Sequence, residues 1–198
     1  MPFYYILFLI ILVKRGDALC QSGLYQIYIK HLNHNKDFVY KPRGFDNIID
    51  MNMAIIERWN NTVELDDDIY CLGDLIMGKS EESIEWLKLL AGRIHVIAGN
   101  HDTDNRIELY KQCPNIVDVK FADRIKYKKI VFFLSHYPTI TTNQQDKPVW
   151  CISGHTHSPD VFQEFYMNNY NVACDAHNCT PVSIEQIYKE IKEKKATE

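Results

Sequence analysis

Four short clusters of polar residues could do chemistry together: Gly73-Asp74, Gly99-Asn100-His101-Asp102, Ser135-His136 and Gly154-His155-Thr156-His157. Each closes a short apolar run, where polar side chains are costly to fold unless something satisfies them. The donor types define a candidate task. A carboxylate such as Asp74 can bridge two cations, because each oxygen can serve a different ion. Asn100 offers a neutral amide oxygen suited to a hard divalent ion, and His136, His155 and His157 offer imidazole nitrogens. His155 and His157 lie two positions apart, so in an extended strand they face the same way, whereas in a turn they can flank two adjacent ions. Taken singly the clusters are weak: a strand-end aspartate is more often a turn residue, a Ser-His is usually a polar turn or a satisfied histidine, and only Gly-His-Thr-His divides evenly between that and a metal site. In this order along one chain they read as one metal site assembled from several loops.

The elements that must position these loops follow from periodicity. Strands are expected at Tyr25 to Ile29, Asp68 to Leu72 and Ile94 to Ala98. Between them, Ile48, Met51, Ile55 and Trp59 recur at helical spacing, predicting a helix over about 47–60. A second helix is expected with Ser80 as its cap, Ile84, Leu87 and Ala91 as its apolar face and Gly92 as its stop. His31 to Phe45 reads as a polar, turn-rich connection. After a short helix near 105–111, the texture changes to successive strands at Ile116–Lys120, Arg124–Tyr127, Ile130–Leu134, Val149–Ser153 and Asn171–Cys174. A final helix starts at Ser183 with Gln186 placed for a capping box, and its lysine-rich tail from Lys192 is expected to be solvated and frayed. Alternating strands and helices followed by a strand-rich half predict an α/β layered sandwich, two mixed β-sheets flanked by helices.

The bulk properties exclude little but are consistent. The 198 residues suit one domain, with 46% apolar and 24% charged residues. A net charge of −4 gives no global drive toward nucleic acid. None of the six cysteines forms a Cys-x-x-Cys pair, and Cys71 and Cys151 sit inside apolar runs. Reduced cysteines and a cytoplasmic location are therefore expected. Phe3 to Val13 is almost wholly apolar. It is too short for a span of about 20 residues, and it has neither a basic leading segment nor a clean cleavage site. Residues 1–24 are read as an atypical hydrophobic extension, 25–191 as the domain and 192–198 as a charged tail, with no membrane association expected.

The order GD, GNHD, SH, GHTH resembles the calcineurin-like metallophosphoesterase superfamily, close to a small bacterial and phage branch of it. The likeness runs from about His31 to Ile187. It is supported by PRGF at Pro42–Phe45, AIIERWN at Ala54–Asn60, YCLGDLIMG at Tyr70–Gly78 and NVACDAHNCTPVSIEQI at Asn171–Ile187. The resemblance implies a metallophosphatase-like αββα fold. It implies a two-metal hydrolase, with manganese expected and iron, zinc or nickel as alternatives, acting on a phosphomonoester or phosphodiester through a metal-activated hydroxide. Asp74 would bridge the ions. Asn100, His136 and His155 would complete one of them, and His31 and His157 would hold the other. His101 would stabilise charge or protonate the leaving oxygen, with Asp102 orienting it.

One position departs from the family. Its first motif reads Asp-x-His-x-x-His, whereas here Ile29-Lys30-His31-Leu32-Asn33-His34 keeps both histidines and places isoleucine where the aspartate belongs. One complete ion site and one weakened site are therefore expected. Residues before about His31 match the family poorly, as a shifted frame or misassigned start would give; resequencing codons 1–35 tests this. Two function classes stay open: a phosphoesterase, with nucleic acid retained among its candidate substrates, and a catalytically degenerate relative serving as a metal-binding or scaffold module. Arg43 is read as a phosphate contact or a solvated loop residue, and His34 as lining the substrate mouth or as a turn residue. His95 and His177 are given no role, and the natural substrate and oligomeric state stay open.

Overall fold

A computed structural model describes residues 26–28, 31–142 and 148–197. The hydrophobic extension and position 29 lie outside the described residues. Among the described residues, nine strands form two sheets. The first comprises β1 (Gln26–Tyr28), β2 (Asp68–Cys71), β3 (Arg93–Ile97), β4 (Ile116–Lys120) and β9 (Val182–Ser183), ordered β4-β3-β2-β1-β9. Its pairings are parallel except for antiparallel β1 and β9. The second comprises β5 (Ala122–Tyr127), β6 (Ile130–Ser135), β7 (Val149–Ser153) and β8 (Asn169–Asn171), in sequential order. It opens with an antiparallel hairpin and continues with parallel pairs. The hairpin turn is Lys128-Lys129, both at positive φ, the twist-matched arrangement for a two-residue loop.

Strand alternation builds the layers. Ile69 and Cys71 of β2 join Ile94 and Val96 of β3 in a core shared with the helices α2 (Ile48–Asn60) and α3 (Ser80–Leu87). Tyr70, Leu72 and Ile97 face the other way, onto Phe132, Leu134, Trp150 and Ile152 of the second sheet. The helix expected near 105–111 is α4 (Asp104–Tyr110), and the final helix, α5 (Ile184–Thr197), adds Ile184, Ile187 and Ile191 to this second core. The expected sandwich of two mixed sheets flanked by helices is thus the observed architecture. No helix among the described residues is long and apolar enough to cross a membrane.

Several local expectations are corrected. A short helix, α1 (Asp37–Tyr40), interrupts the connection read as irregular. Ser80 is the first residue of α3 and Lys79 its N-cap; the helix closes at Leu87, so Ala91 lies beyond it. There the Ala91 N–H donates to Asn60 Oδ1, and Ala91 O accepts from Trp59 Nε1. The strand expected at Asn171–Cys174 is β8, two residues earlier, and Cys174–Ala176 forms a 3₁₀ turn. The tail expected to fray continues α5 to Thr197. Half of the expected capping box of α5 forms: Ser183 Oγ accepts the Gln186 N–H at 3.1 Å, while the Gln186 side chain donates onward to Glu190.

Candidate metal centre

The parallel strands of both sheets deliver their carboxyl ends to one place, where open α/β sheets bind ligands. Loops after β1, β2 and β3 bring His31, Asp74 and Asn100; loops after β6 and β7 bring His136 and His155. Asp74, His155 and His157 all have positive φ, at 52°, 47° and 53°. That conformation costs about 1–2 kcal/mol for a residue carrying a Cβ, and such strain gathers at functional sites. His155 and His157 therefore take the turn alternative, not the extended one.

One cluster is tightly drawn. His136 Nε2 lies 2.9 Å from Asn100 Oδ1, 2.9 Å from His155 Nδ1 and 3.5 Å from Asp74 Oδ2. Ligand and candidate atoms of Asp74, His136 and His155 all fall within 4.8 Å of one another. Donors about 2.0–2.2 Å from a common ion stand about 3.0–3.5 Å apart, so this spacing fits a divalent cation. The tautomer fits as well. His136 Nδ1 must donate to the Leu72 carbonyl, 2.7 Å away, which leaves the Nε2 lone pair facing the other donors. Asp74 and His136 form a buried floor, while Asn100 is exposed at the rim.

Asp74 also faces the second group. Its Oδ2 lies 3.7 Å from His31 Nε2, and the His31 ring stacks on His157 with centroids 4.5 Å apart. One carboxylate oxygen thus stands between His31 and His136, the arrangement a bridging ligand requires. Burial opposes charge on Asp74, but the His31 imidazole, the His101 N–H at 2.8 Å and His136 hold its pKa down to about 2. Burial holds His31 near a pKa of about 4, against the pull of Asp74, so its imidazole is neutral and free to ligate at neutral pH. Burial and the neighbouring His136 likewise lower His155.

This arrangement gives a pH dependence for the metal-free protein. Unfolded His31 takes a proton near pH 6.5 and folded His31 only near 4. The unfolded state therefore binds more protons across that window, and stability falls as pH drops from 6.5 toward 4. The expected loss is about 3 kcal/mol. Urea melts of the metal-free chain at intervals of pH check it, and His31→Gln should flatten that part of the profile; an unchanged slope would contradict it.

The Gly-Asn-His-Asp loop is held differently from the expectation. Asp102 was expected to orient His101. Instead its buried carboxylate accepts the N–H groups of Asp74 and Gly99, each at 2.8 Å, and the Tyr110 hydroxyl at 2.5 Å. The cause is geometric: these three donors hold Asp102 on the protein side of the loop, while His101 is exposed on the other. Asp102 ties the β2 and β3 loops together, and burial and Asp102 raise the Tyr110 phenol far above its usual range. His101 is fixed through its backbone, its N–H on Asp74 and its carbonyl on Arg106 Nη1 at 2.7 Å. His34 is half-buried with its ring 5.4 Å from that of His31. Its loop is pinned where the Asn33 N–H meets Asn52 Oδ1 at 2.9 Å.

Sequence reasoning missed Asp175. It receives Arg43 on both oxygens, at 2.9 and 3.0 Å, and His157 Nδ1 at 3.0 Å. Arg43, read as a phosphate contact or a solvated residue, is instead buried in this ion pair. The available signal was the NVACDAHNCTPVSIEQI stretch, which contains Asp175 without indicating its partners.

Comparison with known proteins gives the family and the fold. The calcineurin-like phosphoesterase superfamily domain matches residues 50–173, a span holding Asp74, Asn100, His101, His136, His155 and His157. An uncharacterized protein of Methanocaldococcus jannaschii, MJ1445, is 33% identical over 183 residues, covering 87% of this chain and 93% of the relative. The gene 66 protein of mycobacteriophage L5 is 25% identical over 187 residues, covering 80% and 88%. The crystal structure of AQ665 from Aquifex aeolicus, a protein of unknown function, shares the fold, with a TM-score of 0.61 at 19% identity over 83% of this chain and 98% of that one. The chain belongs to the calcineurin-like phosphoesterase superfamily, with archaeal and phage proteins among its relatives.

Proposed function

We propose that this chain is a metal-dependent phosphoesterase that hydrolyses a phosphomonoester or phosphodiester. The observation that carries the proposal is the closing of Asp74, Asn100, His136 and His155 into one donor set, with the His136 tautomer fixed by Leu72. Bound divalent ions, with manganese the first candidate, would supply Lewis acidity and an activated water. The chain's own part is to hold the ions and present His101. Asp74 stands between the two donor groups, His31 and His157 form the second group, and His101 lies exposed at the rim. There His101 can give a proton to a leaving oxygen. A cytosolic setting suits the five free, buried cysteines among the described residues.

Ile29 favours a second reading, a degenerate metal-binding or scaffold relative. Assaying p-nitrophenyl phosphate and bis-p-nitrophenyl phosphate with manganese, alongside metal content, separates the two. Turnover of either ester supports the enzyme; one tightly held ion without turnover supports the relative. Ile29→Asp is expected to add a carboxylate to the second donor group and raise its affinity for manganese about 100-fold, with turnover rising in step. An unchanged second affinity would place the first motif elsewhere.

A further inference from the structure

We propose that Asp175 is a positioning residue that fixes His157 as a metal ligand, with Arg43 holding Asp175 in place; this rests on the metal-centre reading above. The 3₁₀ turn at Cys174–Ala176 that carries Asp175 is anchored from both sides. Cys174 and Cys179 are buried in the helix-side core, and the Cys179 N–H donates to Cys174 O at 2.9 Å. The His177 Nε2 lies 2.8 Å from Asn171 O, and the Ala173 N–H donates to Asn171 Oδ1 at 3.1 Å. Arg43 then meets the carboxylate as a fork, Nε on Oδ1 and Nη2 on Oδ2, which fixes its plane. The Arg43 side chain is only 6% exposed, so this pairing is not a solvated surface contact.

What the fork leaves available is directed at His157. Oδ2 lies 3.0 Å from His157 Nδ1. An ionised carboxylate only accepts, so Nδ1 must carry the hydrogen and the Nε2 lone pair is left free. A histidine ligand whose second nitrogen donates to a carboxylate is oriented and made more basic. His157 needs this more than His136 does. Its side chain is 44% exposed, its backbone is at positive φ, and its ring is steadied by Asp175 and by a stack on His31. With isoleucine at position 29, the second donor group also lacks the carboxylate that the superfamily places there. Asp175 supplies a negative charge next to that group, with Oδ1 on Arg43 Nε and Oδ2 shared between Arg43 Nη2 and His157 Nδ1.

The test uses the full chain. Long-range proton–nitrogen NMR of the metal-free protein at pH 8 should show His157 protonated at Nδ1. The paired Arg43→Met, Asp175→Leu variant removes both partners without leaving a buried charge, and should release that preference. Titration with manganese alone should show the second ion bound about 10- to 100-fold more weakly in Asp175→Asn, with the first ion unmoved. A His157 protonated at Nε2 in the native chain would overturn the proposal. So would equal weakening of both ions accompanied by a lower melting temperature, which marks a general structural role. A chain that passes these tests but hydrolyses neither nitrophenyl ester would sink the phosphoesterase reading and leave Asp175 in this role.

Discussion

Asp74→Asn is expected to abolish tight divalent-ion binding and to lower kcat/KM on the nitrophenyl esters about a thousandfold, or about 4 kcal/mol. The carboxylate is the one anionic donor that faces both groups: Oδ2 lies 3.5 Å from His136 Nε2 and 3.7 Å from His31 Nε2. The remaining donors are neutral, three imidazoles and the Asn100 amide in addition to the exposed His157. An asparagine oxygen can still accept the His101 N–H that Asp74 Oδ1 receives at 2.8 Å, so the loop should keep its course. The charge that offsets two cations is lost, and with it several kcal/mol of transition-state stabilisation. Manganese titration and ester kinetics on the same preparation check this, with a thermal melt to verify folding. A variant that holds manganese as tightly as the native chain would show that Asp74 is not the shared ligand.

The part of this site that could be read from sequence is the part encoded locally. Asp74, Asn100, His136 and His155 follow short, mainly apolar strands, so type and position appear together. Their supports are not local. Asp102 finds Tyr110 eight positions on but Asp74 28 positions back, and Arg43 finds Asp175 across 132 positions. No periodicity reports such pairs, so an aspartate beside His101 was naturally assigned to it. The misplaced elements have the same origin. Strand β8 is built from Asn169-Tyr170-Asn171, two asparagines that look like loop residues. Both are buried: Asn169 Nδ2 bonds Ser153 Oγ at 2.9 Å, and Asn171 Nδ2 bonds the carbonyls of Ser158 and Asp160 at 3.0 Å. These amide donors are met inside the fold, which offsets part of the cost of burial even though Asn169 Oδ1 has no partner, and composition alone does not show this. The lysine-rich tail stays helical because Ile191 is buried in the inter-sheet core, with Gln186–Glu190 and Lys189–Glu193 contacts spaced by one turn.

Two glycines turn this packing into a second large effect, and comparing them separates loss of fold from loss of site. At Gly73, φ is +92°, and a Cβ would run into His136 Nδ1 while standing 2.8 Å from the Cα and N of Gly99. Gly73→Ala therefore combines backbone strain with a collision against main chain that cannot yield locally. The expected loss is about 2–5 kcal/mol, or a fall in melting temperature of about 5–15 °C at this chain length. Gly73→Ala also presses on His136 and should weaken the ion as well, but at Gly99 the three nearest atoms are all ligand side chain and the strained φ is absent. A Cβ there would run into Asp74 Oδ1 and stand 2.8 Å from His136 Cε1 and Nδ1, so the atoms that must move belong to the candidate ligands themselves. Displacing Asp74 and His136 together should weaken manganese binding by at least about 100-fold. The cost to the fold of Gly99→Ala should stay nearer about 1–3 kcal/mol. The two variants should therefore order oppositely to a simple packing defect: Gly73→Ala melts earlier, while Gly99→Ala remains folded and fails to hold the ion. A folded Gly99→Ala protein with native manganese affinity would mean that the β2 and β3 loops do not approach as closely as the shared hold of Asp102 on Asp74 and Gly99 requires.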